Sequence, residues 1–194
     1  MSKLSDNLHL SPERLAAEIF PIKAGLILTD RGRTLDFHGR RPTAEEIWTL
    51  LESVPDPEVP VVSVVDLGIV RSVENHNGIW VVQITPTYSG CPATELIKNE
   101  IILALERAGV DPLEVRQQMA PAWTTEWISD DGRRKLREFG IAPPTGKAGE
   151  SDNIECPRCG SVNHKRISEF GSTACKALYQ CHDCQEPFDY FKCI

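Results

Sequence analysis

The chain has 194 residues, a formal net charge of -7 and 41% hydrophobic residues, enough for one ordinary domain with a buried core plus a smaller unit. The acidic balance excludes a dedicated binder of nucleic acid or of an anionic membrane surface, since either partner would repel the chain at long range. No apolar run reaches the roughly 18 residues that a bilayer span needs. The nearest, LAAEIFPIKAGLIL, is broken by Glu18, Pro21 and Lys23, and the start MSKLSDN does not have the pattern of a signal peptide. The expected compartment is therefore the cytoplasm, where thiols stay reduced and clustered cysteines mean metal more often than disulfide.

Residues 1–42 offer short apolar pieces and a polar DRGRTLDFHGRRP stretch, and are taken as an N-terminal extension of uncertain order, with the domain or a partner as its packing surface. From Thr43 the pattern sharpens. In TAEEIWTLLESV, Thr43 and Glu46 form a capping box, and Ile47, Leu50, Leu51 and Val54 share one helical face. The prolines of PDPEVP end that helix. VVSVVDLG, IVRSVE and IWVVQIT then predict three strands, the last two joined as a hairpin through NHNG. Over residues 92–108 the period changes, with Ile97, Ile101, Ala104, Leu105 and Ala108 on a helical stripe, Pro92 at its start and Gly109 at its stop. LEVRQQM predicts one more strand and DDGRRKLREFGI a short charged helix. The order helix, three strands, helix, strand defines an α+β domain over 43–142. Residues 143–154 have the composition of a linker.

The tail, 155–194, holds two CxxC knuckles, Cys156/Cys159 and Cys181/Cys184, with 21 residues between them. Two such pairs fit a tetrahedral structural zinc site, each gripping one side of the ion as thiolates. A segment of about 40 residues has too little core to stand alone, so metal binding would supply much of its folding free energy. Strand-like HKRISEFG, KALYQC and FDYFKC complete a β-rich zinc ribbon. A redox dithiol is the lesser reading, because no thioredoxin-like βαβ pattern surrounds either pair. Cys175 and Cys193 are surplus to four ligands. They are either small packed residues or, less favoured, ligands of an iron–sulfur cluster. His182 is taken as a turn residue. Five Lys/Arg against six Asp/Glu over 151–194 favour a protein-docking role for the ribbon over nucleic-acid binding.

PDPEVPVVSVVDLGIV, ITPTYSGCPAT and APAWTTEWISDDGRRKLREFGIAPP resemble the small domain of SufT-like and related iron–sulfur assembly proteins. With the tail ISEFGSTACKALYQCHDCQEPFDYFKCI, residues 43–194 resemble the PaaD (PaaJ) family, subunits of the phenylacetyl-CoA epoxidase system of aerobic phenylacetate degradation. That resemblance implies a non-catalytic accessory subunit. Its partners would be the di-iron oxygenase and reductase subunits, and its cargo transient iron or an iron–sulfur cluster. The chain's own residues agree, having no phosphate loop, dinucleotide fingerprint or Glu-x-x-His pair.

The family motif places its characteristic cysteine at Cys91 and its acidic turn at Asp56-Pro57-Glu58, and so implies iron handling by Cys91, Asp56 and Glu58. A thiol at a helix start faces unpaired N–H groups that favour the thiolate, the form that binds iron. Set against this are a packed, inert Cys91 and a solvated acidic turn. A zinc-only scaffold is a further reading, as is an enzyme with Cys91 as nucleophile, which would need a nearby base.

The charge balance predicts no salt-dependent binding to DNA or RNA near physiological ionic strength. Retardation of a short duplex that weakens steeply with added salt would overturn it.

Overall fold

The computed structural model describes residues 35–144 and 154–192. Helix α1 (Ala44–Leu51) opens on the predicted capping box: Thr43 Oγ1 accepts from the Glu46 N–H at 3.2 Å, and Glu46 Oε2 accepts from the Thr43 N–H at 2.9 Å. Arg40 grips the same carboxylate with two bonds of 2.8 and 2.9 Å. The Arg40 guanidinium, and after it the Thr43 N–H, holds Glu46 down to about 2. A carboxyl lowered on folding stabilises the cap above the ordinary carboxylate range, and that contribution fades as pH falls toward 2.

Strands β1 (Val70–His76) and β2 (Ile79–Ile84) form the predicted hairpin. Asn77 and Gly78 turn it with φ of 53° and 96°, the double left-handed geometry that matches strand twist, and Asn75 Oδ1 accepts from the Gly78 N–H at 3.0 Å. Helix α2 (Thr94–Arg107) carries the chain across to β3 (Leu113–Gln117), which lies parallel to β2 from Trp80↔Leu113 to Ile84↔Gln117. The sheet order is β1-β2-β3. Ile47, Leu50 and Leu51 of α1, Ile97, Ile101 and Leu105 of α2, and Val82 and Ile84 of β2 are buried together. The structure starts α2 at Thr94, so Pro92 lies in the turn before the helix and not in its first position.

The stretch VVSVVDLG is not a strand. Apart from one bridge, Pro55↔Ser63, residues 60–67 form turns. Ser63 and Asp66 close on each other, the Ser63 N–H donating to Asp66 Oδ2 at 2.8 Å and the Asp66 N–H to Ser63 Oγ at 2.9 Å. This reciprocal capping gives the backbone a local alternative to a ladder, which the run of valines concealed. The domain order is therefore helix, two strands, helix, strand, and the α+β class stands.

Asp66 also ties down the next segment. Its Oδ2 receives Lys135 Nζ at 2.9 Å and its backbone carbonyl receives the Ser129 N–H at 2.9 Å. Ser129 caps helix α3 (Asp130–Glu138) by accepting from the Gly132 N–H at 2.9 Å. Trp123 Nε1 donates to the Leu67 carbonyl at 2.8 Å. Of the expected extension, Leu35 and Phe37 are buried in the main core, with the Phe37 N–H on the Ala108 carbonyl at 2.6 Å. Residues 1–34, residues 145–153 within the expected linker, and Cys193 lie outside the described residues.

The ribbon consists of β5 (His164–Ser168), β6 (Lys176–Cys181) and β7 (Pro187–Phe191), all antiparallel. A two-residue strand after α3, β4 (Ile141–Ala142), pairs with β7 in parallel, giving the order β4-β7-β6-β5. The ribbon has its own small core of Ile154, Ala177, Tyr179, Phe188 and Tyr190. Phe191 and Cys175 belong instead to the main core, where the Phe191 ring lies 6.2 Å from that of Trp123.

Gly68 has φ of +64°, and a Cβ there would stand 2.5 Å from the Trp127 carbonyl oxygen. Gly68→Ala should therefore cost roughly 2–4 kcal/mol, from left-handed strain plus overpacking against backbone. Urea unfolding checks this, and a loss below about 0.5 kcal/mol would contradict the packing of Trp127 on this turn.

Candidate metal sites

The ribbon site follows from its hairpin turns. β6 ends at Cys181 and delivers it to a turn that carries Cys184, while the turn after Ile154 carries Cys156 and Cys159. All four Sγ atoms lie within 4.8 Å of one another, with Cys156–Cys184 at 3.7 Å and Cys159–Cys181 at 3.6 Å. A tetrahedron with metal–sulfur bonds of about 2.3 Å has edges of about 3.8 Å. The spacing therefore fits four thiolates around one zinc ion and is far too long for a disulfide. Backbone N–H groups of Cys184 and Asp183 aim at Cys181 and hold it down to about 7, so this thiol ionises readily. Behind the knuckles, Asp183 accepts from Ser161 Oγ at 2.5 Å and Asn163 Nδ2 at 3.0 Å, clamping the two turns together. Cys156 and Cys181 are buried, Cys184 is half-buried and Cys159 exposed. His182 lies in the turn, its N–H on the Asn163 carbonyl at 2.8 Å.

A second constellation lies between the two units. Asp56, Glu58 and Cys91 line one cleft of about 300 Å³, counting the solvent at its mouth, together with Pro86, Thr87 and two residues from the ribbon side, Cys175 and Phe191. The Asp56-Pro57-Glu58 turn is built by Asp56 itself: its Oδ1 accepts from the Glu58 N–H at 2.9 Å and the Val59 N–H at 2.8 Å. Burial raises the Asp56 carboxyl above its ordinary range against the pull of those bonds, and the neighbouring Glu58 charge adds to the rise. Glu58, half-buried, presents its carboxylate to the cleft.

Cys91 is half-buried in the turn ahead of α2, its N–H on the Tyr88 carbonyl at 3.3 Å and its own carbonyl accepting from Thr94 Oγ1 at 2.9 Å. Tyr88 stands beside it. Burial, then Cys91, Glu58 and Cys175, push the Tyr88 hydroxyl up to about 12, so it remains a proton donor.

Sequence reasoning left Cys175 as a surplus cysteine, and the structure brings it into this cleft. Its Sγ lies 3.6 Å from Glu58 Oε2 and 3.0 Å from Thr173 Oγ1. Burial pushes the thiol up to about 11, and the charges of Glu58 and Asp56 act in the same direction against the Thr173 hydroxyl. The local signal is parity alone: Cys175 precedes β6 in step with Ala177, Tyr179 and Cys181, which are buried. Nothing in that alternation says that residue 175 faces the other unit.

Fold and sites together define a class: an α+β domain of the iron–sulfur-assembly type joined to a four-cysteine zinc ribbon. Two family descriptions match, the PaaD zinc beta ribbon domain over residues 141–192 and the iron-sulfur cluster assembly protein over residues 44–115. The chain is 53% identical over 156 residues to an Escherichia coli (strain K12) protein named as one subunit of a "Putative 1,2-phenylacetyl-CoA epoxidase", covering 79% of this chain and 94% of that one. On that evidence the chain belongs to the PaaD family. It is also 31% identical to an Fe-S protein maturation auxiliary factor of Porphyromonas gingivalis (strain ATCC BAA-308 / W83), over 48% of this chain and 90% of that protein. A third relative, Fe-S protein maturation auxiliary factor YitW of Bacillus subtilis (strain 168), is 36% identical over 44% of this chain and 84% of its own length. Among the described residues no helix is long and apolar enough to cross a membrane.

Cys156→Ser or Cys184→Ser should abolish stoichiometric zinc and melt β5–β7, because three thiolates hold the ion far less well than four. The first domain should stay folded but lose stability, since Phe191 and Cys175 leave its core. Elemental analysis and amide NMR check both parts. Full zinc with intact ribbon signals in either variant would overturn the ligand set.

Proposed function

We propose that the chain is a non-catalytic accessory subunit of a phenylacetyl-CoA epoxidase system that assists assembly of a partner's metallocentre, taking iron as cargo through Cys91 and the carboxylates beside it. The observation that carries this reading is the cleft where Cys91, Glu58 and Asp56 meet. The first domain's match to iron–sulfur cluster assembly proteins and the epoxidase subunit among the chain's relatives support it. A cysteine sulfur and a carboxylate lining one cleft are suited to taking up ferrous iron, a borderline cation that both donor types bind. The zinc ribbon supplies structure and a docking face toward the oxygenase and reductase subunits.

Each residue has a separate task. Cys91 offers the soft ligand, on a turn whose shape is set by Gly90 (φ +82°) and Pro92. Glu58 offers a hard oxygen from the Asp56–Glu58 turn that lines the same cleft. Asp56 spends one oxygen on its own turn and thereby orients Glu58. Among the described residues the cleft offers an enzyme alternative no histidine to deprotonate Cys91.

Cys91→Ser exchanges sulfur for oxygen at a half-buried turn and should cost less than about 1 kcal/mol. A serine hydroxyl stays protonated near neutral pH and is a poor iron ligand. Cells carrying the variant should make normal amounts of the oxygenase subunits and leave them iron-poor, with epoxidation failing even under excess reductase. Full iron occupancy and normal turnover would instead make Cys91 a packing residue and the chain a scaffold.

A further inference from the structure

The ribbon sheet ends on one side at β4, the two-residue strand that follows α3, and on the other at β5, which pairs with β6 alone. Backbone bonding alternates along β6 and the turn after it. The His182 N–H reaches the Asn163 carbonyl on the β5 side at 2.8 Å, whereas the Cys181 N–H turns to the Glu186 carbonyl, next to β7, at 3.0 Å. By that alternation His164 and Arg166, opposite Cys181 and Tyr179, direct their own N–H and C=O groups away from the sheet. Val162, just ahead of β5, Ile167 within it and Phe170 just after it are each more than half exposed. An edge with free backbone groups and bare apolar side chains is a template for another strand.

Charge narrows what that strand can be. Residues 158–168 contain Arg158, Lys165 and Arg166 and no Asp or Glu, in a chain of net charge -7. Arg166 pairs with Glu169 at 2.6 Å, and Lys192 stands 4.4 Å over the Phe170 ring. Among the described residues no ion pair engages Arg158 or Lys165. A second copy of this chain is a poor occupant, because antiparallel pairing of two β5 strands would set the same cations across from one another. Nucleic acid is repelled by the chain as a whole, and its phosphate backbone has no row of N–H and C=O groups to extend the ladder. An acidic peptide strand supplies both the charge and the backbone.

We propose that β5 is an augmentation edge that takes an extended acidic segment of a partner protein as a further strand of the ribbon, its carboxylates answering the cations of 158–168 and its apolar side chains meeting Ile167. This rests on the ribbon being a docking face, and it gives that face its edge and its partner's chemistry. Main-chain bonds to the outward groups of His164 and Arg166 supply affinity, and the cations select the acidic strand.

The test is titration of the full, zinc-loaded chain with a short fluorescein-labelled peptide of alternating glutamate and valine, read by anisotropy and amide NMR. The expected result is saturable binding with shift changes centred on residues 162–170, and no binding of the same peptide with lysine in place of glutamate. Lys165→Glu, at an exposed position, should weaken binding at least roughly tenfold. Arg166→Pro removes an outward N–H and should abolish binding, whereas Arg166→Ala keeps that N–H and should lose no more than about fivefold. Zinc content and ribbon signals confirm that the proline variant is folded. If it is not, Lys165→Glu with parental affinity still overturns the proposal. So would a parent chain that binds no peptide, shift changes confined to other residues, or a short duplex that competes with the peptide for this edge. Cys91→Ser should bind the peptide as the parent does. A parent chain that loads the oxygenase with iron but ignores the peptide would overturn the edge and leave the proposed function standing. Peptide binding together with full oxygenase iron in Cys91→Ser would do the reverse.

Discussion

Four sulfur atoms held within 4.8 Å of one another are the constraint on which the C-terminal unit depends. Four thiolates this close would repel, and a divalent cation at their centre would turn that repulsion into an attachment between the two turns. Such a cation would fix two turns, the turns fix β5, β6 and β7, and the start of β6 and the end of β7 bring Cys175 and Phe191 to the other unit. A zinc ion held by the knuckles would thereby set the position of a thiol that packs on the other unit. The small core of Tyr179, Phe188 and Tyr190 fills the space behind the metal, with Tyr179 stacked on Phe188 at 5.8 Å.

The first domain contributes rigidity of another kind. Parallel pairing of β2 and β3 around α2 buries β2, and the cleft-lining residues Pro86 and Thr87 leave the sheet just past its end. Asp66 ties the turn at 60–67 to Lys135 and to the start of α3, so the wall carrying Leu67 and Ile69 is braced from behind. Arg71 lies 3.4 Å over the Trp127 ring, closing the segment that wraps this turn. The cleft is thus held by backbone turns and side-chain caps, while the donors that face it come from three separate loops.

What was legible in the sequence was whatever a short window decides. The capping box at Thr43/Glu46, the Asn77-Gly78 turn, the stripe of Ile97, Ile101 and Leu105, and the paired knuckles each declare themselves within a few residues to a few turns. Residues 61–68 misled because valine alternation is the same for a strand and for a turn that buries Val62 and Val64, and only the pairing of Ser63 with Asp66 decides between them. Cys91 and the Asp56–Glu58 turn could be named from motifs. That they share a cleft depends on packing over long sequence separations. Cys175 was the hardest to read: parity marks it as inward, and inward has two meanings in a chain with two cores.

Cys175 and Glu58 meet across 117 positions of the chain. Synthesis runs from the N-terminus, and domains generally fold as units in that order. The residues around Cys91 and Glu58 can therefore fold while the ribbon is still unmade, with one wall of the cleft missing. A nascent chain would present a lone thiol and a carboxylate in that interval, and the finished cleft would appear only after both knuckles had emerged and closed on their own ion. Order of emergence from the ribosome would then decide when the cleft gains its last wall.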